Sequence, residues 1–199
     1  LPDHINARCN LGGLYVQIGK QKEAISVLQD VLKIVPNNIN ANANLGIVFN
    51  HLGEYEKSIE CHKKVLNIDP NNTDTHSNLG SSYKQLGETD LAKKHYYKAI
   101  EINPNHANAY NNLGTVLRGS GEHEKAEDAL KKALEIEPNF FYAQANLSNT
   151  YLNKLNTIEK SVKESHKALN MHHSGSKTYS QQVPLFRLKH DIEQTEYLK

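Results

Sequence analysis

A spacing of 34 residues runs through most of the chain. Proline recurs at this interval, and glycine recurs at two further positions of the same interval. The prolines are Pro2, Pro36, Pro70, Pro104 and Pro138, and the glycines are Gly12, Gly46, Gly80 and Gly114, then Gly19, Gly53, Gly87 and Gly121. A fixed period of roughly 20–50 residues is typical of a solenoid, in which each unit packs on its neighbours. The spacing therefore predicts an array of similar units.

Each unit is predicted to contain two helices. Leu11, Leu14 and Ile18 recur at helical spacing in the first half of the first unit, and a second apolar stripe follows in the other half. Gly19 lies between the two stripes, where a tight turn with a positive φ suits glycine. Pro36 ends the unit, because proline cannot continue a helix. The pattern predicts a helix–turn–helix unit.

The period also sets the expected boundaries. Residues 1–4 match the end of a preceding repeat, four complete repeats occupy 5–38, 39–72, 73–106 and 107–140, and a degenerate fifth spans 141–173. Residues 174–183 are expected to form a loop. Residues 184–199 are expected to form a capping helix or a linker to a downstream domain, since Pro184 suits a first helical turn and an array end needs a cap.

Composition excludes several functional classes. The 199 residues carry 23 basic and 22 acidic side chains, and this near-neutral balance argues against a nucleic-acid or anionic-membrane partner. No apolar run approaches the roughly 20 residues of a membrane span. Two cysteines make no disulfide framework, so we expect a cytoplasmic location. No nucleophile–base arrangement, phosphate loop or metal-ligand spacing occurs, which predicts a protein without enzymatic activity, cofactor or metal.

One asparagine lies in the middle of every predicted first helix, before a Leu-Gly or Leu-Ser pair. These residues are Asn10, Asn44, Asn78, Asn112 and Asn146. Asparagine is a mediocre helix former, and a mid-helix position excludes a capping role. Four residues upstream, the same helix face carries Asn6, Asn40, Asp74 and Asn108. Most charged residues fall in the second helices, so the first helices present a largely neutral polar face.

The chain resembles the tetratricopeptide repeat family. The resemblance rests on Leu11-Gly12-x-x-Tyr15, Ala24, Leu28 and Pro36 in the first repeat and on their counterparts in the others. It implies an all-α fold, a right-handed superhelix or α-solenoid whose first helices line a concave groove, and a role in protein–protein interaction. The tryptophan usual in this family is replaced by Arg8, Asn42, His76, Tyr110 and Gln144.

The row of asparagines is similar to that of the superhelix in O-linked N-acetylglucosamine transferases. A carboxamide offers both a donor and an acceptor, which suits the backbone of an extended polypeptide. The resemblance therefore implies that the five mid-helix asparagines bind a peptide, with the upstream Asn6, Asn40, Asp74 and Asn108 beside them. No part of the chain resembles a glycosyltransferase catalytic domain. A purely structural role, or shared ancestry of the repeats, remains the alternative explanation of the row.

Two further questions stay open at this point. Lys84 and Arg118 occupy equivalent positions one repeat apart, and they suit an acidic side chain or a C-terminal carboxylate of a ligand. Solvated charges without a ligand explain them nearly as well. Besides a peptide-binding scaffold, the chain fits a substrate-recruiting arm of a larger enzyme such as a glycosyltransferase, or a scaffold that self-assembles through an array end.

Overall fold

The computed structural model describes residues 2–153 and 166–167. In that part of the chain every regular element is a helix. The helices are α1 Pro2–Gln17, α2 Gln21–Ile34, α3 Ile39–His51, α4 Tyr55–Ile68, α5 Thr73–Gln85, α6 Thr89–Ile102, α7 Ala107–Gly119, α8 His123–Ile136 and α9 Phe141–Leu152. The predicted fold class, an all-α solenoid of helical repeats, is confirmed. The predicted loop at 174–183 and the predicted cap at 184–199 lie outside the described residues.

The turn inside each of the first four repeats is set by glycine. Gly19, Gly53, Gly87 and Gly121 have φ values of 75°, 77°, 78° and 78°, as the sequence predicts. The residue after each glycine donates its N–H to a carbonyl five residues earlier, for example Lys20 to Tyr15 at 2.8 Å and Glu122 to Leu117 at 2.9 Å. This is the Schellman pattern, which satisfies the last carbonyls of a helix and needs a left-handed residue.

The start of each inner first helix is fixed by a side-chain cap. The Oδ1 atoms of Asn38 and Asn72 accept hydrogen bonds from the N–H groups of Ala41 and Thr75 at 2.9 and 3.0 Å. In the next repeat, His106 Nδ1 accepts from the N–H of Ala109 at 3.2 Å. Capping of this kind satisfies an otherwise unpaired N–H in the first turn. In these three repeats, the second residue after the preceding proline thus starts the helix.

The structure differs from the expectation at residues 2–4. The sequence predicts the closing turn of a preceding repeat there, but α1 begins at Pro2 and includes these residues. Proline is well accepted at the first position of a helix, because it has no N–H to leave unpaired and its φ already suits the helix. The sequence similarity to the other Pro-containing turns therefore does not set the local structure here.

The chain forms two compact units, residues 1–104 and 105–199. In the first unit, α2 and α3 share an apolar cluster to which they contribute Ala24, Leu28 and Val31, and Ala41, Leu45 and Val48. In the second unit, the cluster joins α8 and α9 through Leu130, Ala133, Ala143, Leu147 and Tyr151. In both clusters the buried stripe of a second helix thus packs on the first helix of the next repeat, which is how a solenoid builds its core.

Within each of the first four repeats the two helices touch at a glycine. A methyl group built on Gly12, Gly80 or Gly114 would lie 2.5, 2.8 or 2.6 Å from a side-chain carbon of the residue sixteen positions later. Those partners are Leu28, Tyr96 and Leu130, and in the second repeat Gly46 meets the His62 ring in the same way. Contacts this short leave no room for a side chain. The repeated glycine therefore fixes the spacing of the helix pair.

Both cysteines are buried in the first unit. Cys9 is 1% exposed and Cys61 is 7% exposed. Burial raises the pKa of both thiols, that of Cys61 to about 11. The Cys9 thiol donates to Oδ1 of Asn38 at 3.4 Å, within the limit for a sulfur donor. Both residues act as small core side chains, since a thiol without thiolate character is unreactive.

The second helices carry the charged exterior. Their ion pairs join residues three or four positions apart on one helix, such as Lys33 with Asp30 and Lys98 with Glu101. Exposed ion pairs of this kind contribute little to the free energy of unfolding. Among the described helices, none is both long and apolar enough to cross a membrane. No group of three or more metal-ligating side chains occurs within residues 2–153 and 166–167.

Candidate functional site

The three mid-helix asparagines of the first unit form what we call the first asparagine set: Asn10, Asn44 and Asn78. They lie on α1, α3 and α5, where Asn10 is exposed and the other two are half-buried. Their carboxamides make no hydrogen bond to any other residue that the structure describes. Because a carboxamide retains four hydrogen-bonding positions, each side chain in this set keeps its full capacity for a ligand.

A shallow depression separates α1 from α3 beside this set. Its volume is about 490 Å³. The lining residues are Cys9, Asn10, Gly13, Leu14 and Gln17 from α1 and Asn40, Ala43 and Asn44 from α3. Gly13 leaves room for the Asn44 carboxamide, since a methyl group on Gly13 would lie 3.2 Å from Nδ2 of Asn44. The lining carries no charged side chain, so the depression suits neutral polar groups.

The two mid-helix asparagines of the second unit, Asn112 and Asn146, form the second asparagine set. Both are half-buried, and both bond to the same neighbour. Nδ2 of Asn146 donates to Oδ1 of Asn111 at 2.8 Å, and Nδ2 of Asn111 donates to Oδ1 of Asn112 at 3.3 Å. The sequence predicts one role for all five asparagines. The structure instead divides them into an unbonded set and a bonded set.

The other predicted site residues lie at the surface or near it. Upstream on the same helices, Asn6, Asn40, Asp74 and Asn108 are all exposed. Lys84 is exposed in the last turn of α5, whereas Arg118 is half-buried in the last turn of α7, where burial lowers its pKa. The two cations thus differ in their contact with water, although the sequence places them at equivalent positions. Their binding role stays a prediction.

Two of the residues that replace the family's tryptophan have a structural role that the sequence does not reveal. Asn42 donates from Nδ2 to the carbonyl of Pro36 at 3.2 Å, and Nε2 of His76 donates to the carbonyl of Pro70 at 3.0 Å. Both side chains therefore tie a first helix to the proline turn before it. The constant spacing of six residues between each polar side chain and its proline is the signal that could have predicted this.

A histidine pair in the third repeat was also not predicted. Nδ1 of His76 and Nδ1 of His95 are 3.0 Å apart, and the His95 ring stacks on Tyr83. Because the Pro70 carbonyl requires a proton on Nε2 of His76, His95 is the donor between the two Nδ1 atoms. Desolvation, followed by repulsion from His76, lowers the pKa of His95 to about 4. The hydrogen bond between the two rings links α5 to α6.

The outer face of α1 differs from its counterparts in the later repeats. Leu11 and Leu14 are 39% and 51% exposed, while the equivalent Leu45 and Val48 are 3% and 0% exposed. In the second repeat this face packs against the preceding second helix. The α1 face is therefore apolar and uncovered in this structure.

Comparison with known proteins identifies the repeats. Models described as tetratricopeptide repeat match residues 5–38 and 71–138, and a model described as TPR repeat matches residues 48–87. A comparison with curated protein sequences finds no match.

Several solved structures have the same fold. One crystal structure of MamA is 31% identical, covers 82% of this chain and 95% of its own, and superposes with a TM-score of 0.70. Another MamA structure is 29% identical over 87% of this chain and 94% of its own, with a TM-score of 0.69. A thermophilic TPR protein of Thermus thermophilus, TTC0263, is 22% identical over 92% of this chain and 98% of its own, with a TM-score of 0.79. The chain belongs to the tetratricopeptide repeat family.

Proposed function

We propose that this chain is a protein-interaction scaffold whose first helices bind an extended polypeptide through their asparagines. The observation that carries the proposal is the first asparagine set, whose carboxamides make no hydrogen bond within the described part of the chain. A half-buried polar side chain normally finds a partner. Asn44 and Asn78 are half-buried, and the exposed Asn10 occupies the equivalent position of the preceding first helix. Three carboxamides at equivalent positions of successive first helices suit a ligand that repeats its own polar groups, as a peptide backbone does.

The surroundings of the set support a backbone ligand rather than a charged one. The depression beside Asn10 and Asn44 is lined by neutral residues and is shallow. An extended chain needs length and regularly spaced partners, whereas a small molecule is usually held in an enclosed cavity. Carboxamides form hydrogen bonds with both the N–H and the C=O groups of a peptide. They can therefore bind its backbone largely independently of its side chains.

The proposal can be tested with peptides selected on the wild-type chain from a displayed library of random segments, each about 16 residues long so that it can span several repeats. A triple variant, Asn10→Ala with Asn44→Ala and Asn78→Ala, should bind the selected peptide at least about tenfold more weakly, because each neutral hydrogen bond contributes about 0.5–1.5 kcal/mol. Isothermal titration calorimetry measures the affinity. Recovery of no peptide, or a triple variant that binds as tightly as the parent, would refute the proposal.

A matched control uses asparagines outside the first helices. Asn37, Asn71 and Asn139 are exposed and lie in the turns after Pro36, Pro70 and Pro138. Replacing these three with alanine removes the same number of carboxamides but leaves the first helices unchanged. The control variant should keep the affinity of the parent. An equal loss in both triple variants would indicate a nonspecific effect of asparagine content.

The uncovered α1 face favours a second candidate function, which is self-association. Burial of Leu11 and Leu14 against another helix would remove apolar surface from water, as happens at Leu45 and Val48. Light scattering across a concentration series should then show a mass that rises with concentration and falls back for Leu14→Glu. Leu86→Glu, at the partly exposed leucine that caps α5, is the control. A constant monomer mass would reject this candidate.

A further inference from the structure

Asn111 occupies a special position in the second unit. It is 7% exposed and lies next to Asn112 in α7, and it contacts Asn146 of α9. Both ends of its carboxamide are used, one by each member of the second asparagine set. The equivalent residues of the other repeats are Cys9, Ala43, Ser77 and Ala145. No other repeat therefore has a carboxamide at this position.

The chemistry of a carboxamide makes its two bonds unequal. Oδ1 of Asn111 accepts from Asn146, so the NH2 group of Asn146 points toward Asn111 and its oxygen points away. Nδ2 of Asn111 donates to Asn112, so the oxygen of Asn112 points toward Asn111 and its NH2 group points away. Turning the Asn111 carboxamide by about 180° would exchange these roles but would keep them opposite. One residue of the second asparagine set always offers a donor and the other an acceptor.

We propose that Asn111 is a positioning residue that gives the second asparagine set an opposed polarity, with a donor at one residue and an acceptor at the other. In the orientation that the structure shows, the donor lies at Asn112 and the acceptor at Asn146. An extended strand can match both only if it places a carbonyl at Asn112 and an N–H at Asn146. This requirement selects the register in which the strand lies on the two side chains. This inference rests on the proposed function.

Burial is the reason why the polarity is stable. A carboxamide at 7% exposure has little access to water, so an unsatisfied donor or acceptor at Asn111 would cost free energy. Within the described residues, Asn112 and Asn146 supply its hydrogen-bond partners. Rotating either of these two side chains by itself would therefore break a part-buried hydrogen bond. The carboxamides of the first asparagine set have no such hydrogen-bond partner among the described residues, so each can turn independently of the others.

The first test measures affinity in a double-mutant cycle. The probe is a peptide selected on the wild-type chain from the same displayed library of random segments, chosen because Asn112→Ala with Asn146→Ala weakens its binding. Asn111→Ala should weaken binding by about threefold to tenfold, the equivalent of one neutral hydrogen bond. The same substitution should have no effect when Asn112 and Asn146 are already alanine. Ser77→Ala, at the equivalent position of the first unit, is the control and should bind as the parent does.

The second test changes the polarity without removing the side chain. In Asn111→Asp the carboxylate has only acceptors, so Asn112 must turn its NH2 group inward and offer its oxygen instead. Asn112→Ala should then cost no affinity in the Asn111→Asp background, although it costs about threefold or more in the parent. Replacing the peptide's amide bonds one at a time with ester bonds removes single N–H groups. The replacement that weakens binding identifies the peptide N–H that donates to the oxygen of Asn146. A merely structural role of Asn111 would change stability without this exchange of roles.

A third measurement needs no peptide. In the free protein, side-chain NH2 protons of Asn146 should exchange with water at least about threefold faster in Asn111→Ala than in the parent, because one protecting hydrogen bond is lost. Equal exchange in both proteins, or an affinity loss that persists without Asn112 and Asn146, would overturn the inference. Failure of the proposed function has a different signature: no peptide is recovered, or the Asn10, Asn44 and Asn78 triple variant binds normally.

Discussion

The first and second asparagine sets share one sequence position and differ in their hydrogen bonds. Asn10, Asn44 and Asn78 make none to the described residues, whereas Asn112 and Asn146 both bond to Asn111. The difference comes from one neighbouring position, which holds a small residue in the first unit and a carboxamide in the second. Identity at a repeat position therefore does not establish identity of role, because each side chain also responds to its neighbours.

The units also differ in how they should respond to acid, and this is the largest expected effect. His62 is fully buried on α4, and neither of its ring nitrogens has a hydrogen-bond partner within residues 2–153 and 166–167, while the equivalent residue of the second unit is Leu130. Burial lowers the pKa of His62 from 6.5 to about 4. The unfolded chain therefore takes up a proton first as the pH falls. Through His62 alone, the free energy of unfolding should decrease between about pH 6.5 and 4 by at most about 3 kcal/mol.

His62→Leu should remove the His62 part of this acid sensitivity and leave the part due to His95, whose pKa is also lowered to about 4. It should also stabilise the protein at about pH 7, where the buried ring is neutral. Leucine fills the same position against the glycine in the first and fourth repeats, and it leaves no buried nitrogen unsatisfied. Urea unfolding across this pH range provides the measurement. His51→Leu, at an exposed histidine, is the control and should keep the slope of the parent. An unchanged slope in His62→Leu would show that His62 does not cause the acid response.

The next effect concerns the glycine contacts, which both units share. Gly80→Val and Gly114→Val should each lower the free energy of unfolding by about 2 kcal/mol, because overpacking a close helix contact costs about 1–3 kcal/mol. At Gly114 the new Cβ also lies 3.3 Å from the backbone carbonyl of Ala126, so its loss should be the larger one. Thermal unfolding followed by circular dichroism measures both.

Gly119→Val is the control for these variants, since no described residue beyond its own helix turn and chain neighbours lies within 4 Å of a methyl group built there. It should melt close to the parent or above it, because valine is a better helix former than glycine. Equal melting temperatures for Gly80→Val and Gly119→Val would mean that the helices at Gly80 separate without cost.

Alanine substitution should lower the free energy of unfolding by about 1 kcal/mol in the second asparagine set but not in the first. Asn78→Ala should leave stability unchanged or raise it, because alanine is the better helix former and no hydrogen bond is lost. Asn146→Ala should lower stability by about 1 kcal/mol, because Oδ1 of the buried Asn111 loses its donor. Chemical denaturation of both variants measures the difference. A destabilised Asn78→Ala would favour a structural role for the first set as well.

The smallest effect concerns the two cations. Lys84 is exposed and Arg118 is half-buried, so salt screens Lys84 more effectively. If both contact an acidic ligand, Lys84→Ala should flatten the salt dependence of peptide affinity and Arg118→Ala should lower affinity at every salt concentration, each by less than about 1 kcal/mol. Titrations of a selected acidic peptide at several salt concentrations measure both. Identical salt slopes in the parent and both variants would exclude the two residues from the site.

The sequence predicts the helix pairs and their turns correctly, because proline and glycine act through local backbone geometry. Gly19 and its counterparts have a positive φ wherever the period places them. The local environment of the asparagines is harder to predict. The bond between Asn146 and Asn111 joins different helices, and it depends on which side chain lies opposite after the repeats have packed. For the same reason, the contact between His76 and His95 does not follow from the period.

The local environment of His62 shows a further limit of sequence reasoning. The period identifies the position as a helix contact, and its equivalents are Leu28, Tyr96 and Leu130. The period alone does not reveal whether a histidine at this position is buried or hydrogen-bonded. The structure shows that the ring is fully buried and that its nitrogens have no hydrogen-bond partner among the described residues, so the position carries a titratable group.

The two buried thiols make the first unit a natural reporter of its own opening. Both cysteines of the chain lie in that unit, on α1 and α4, and their raised pKa values keep them as thiols at neutral pH. A thiol reagent can therefore modify them only when the surrounding helices separate. The rate of thiol modification in native buffer would therefore report how often the helices of the first two repeats separate, without any engineered label. Because the second unit contains no cysteine, its motions would not contribute to that signal.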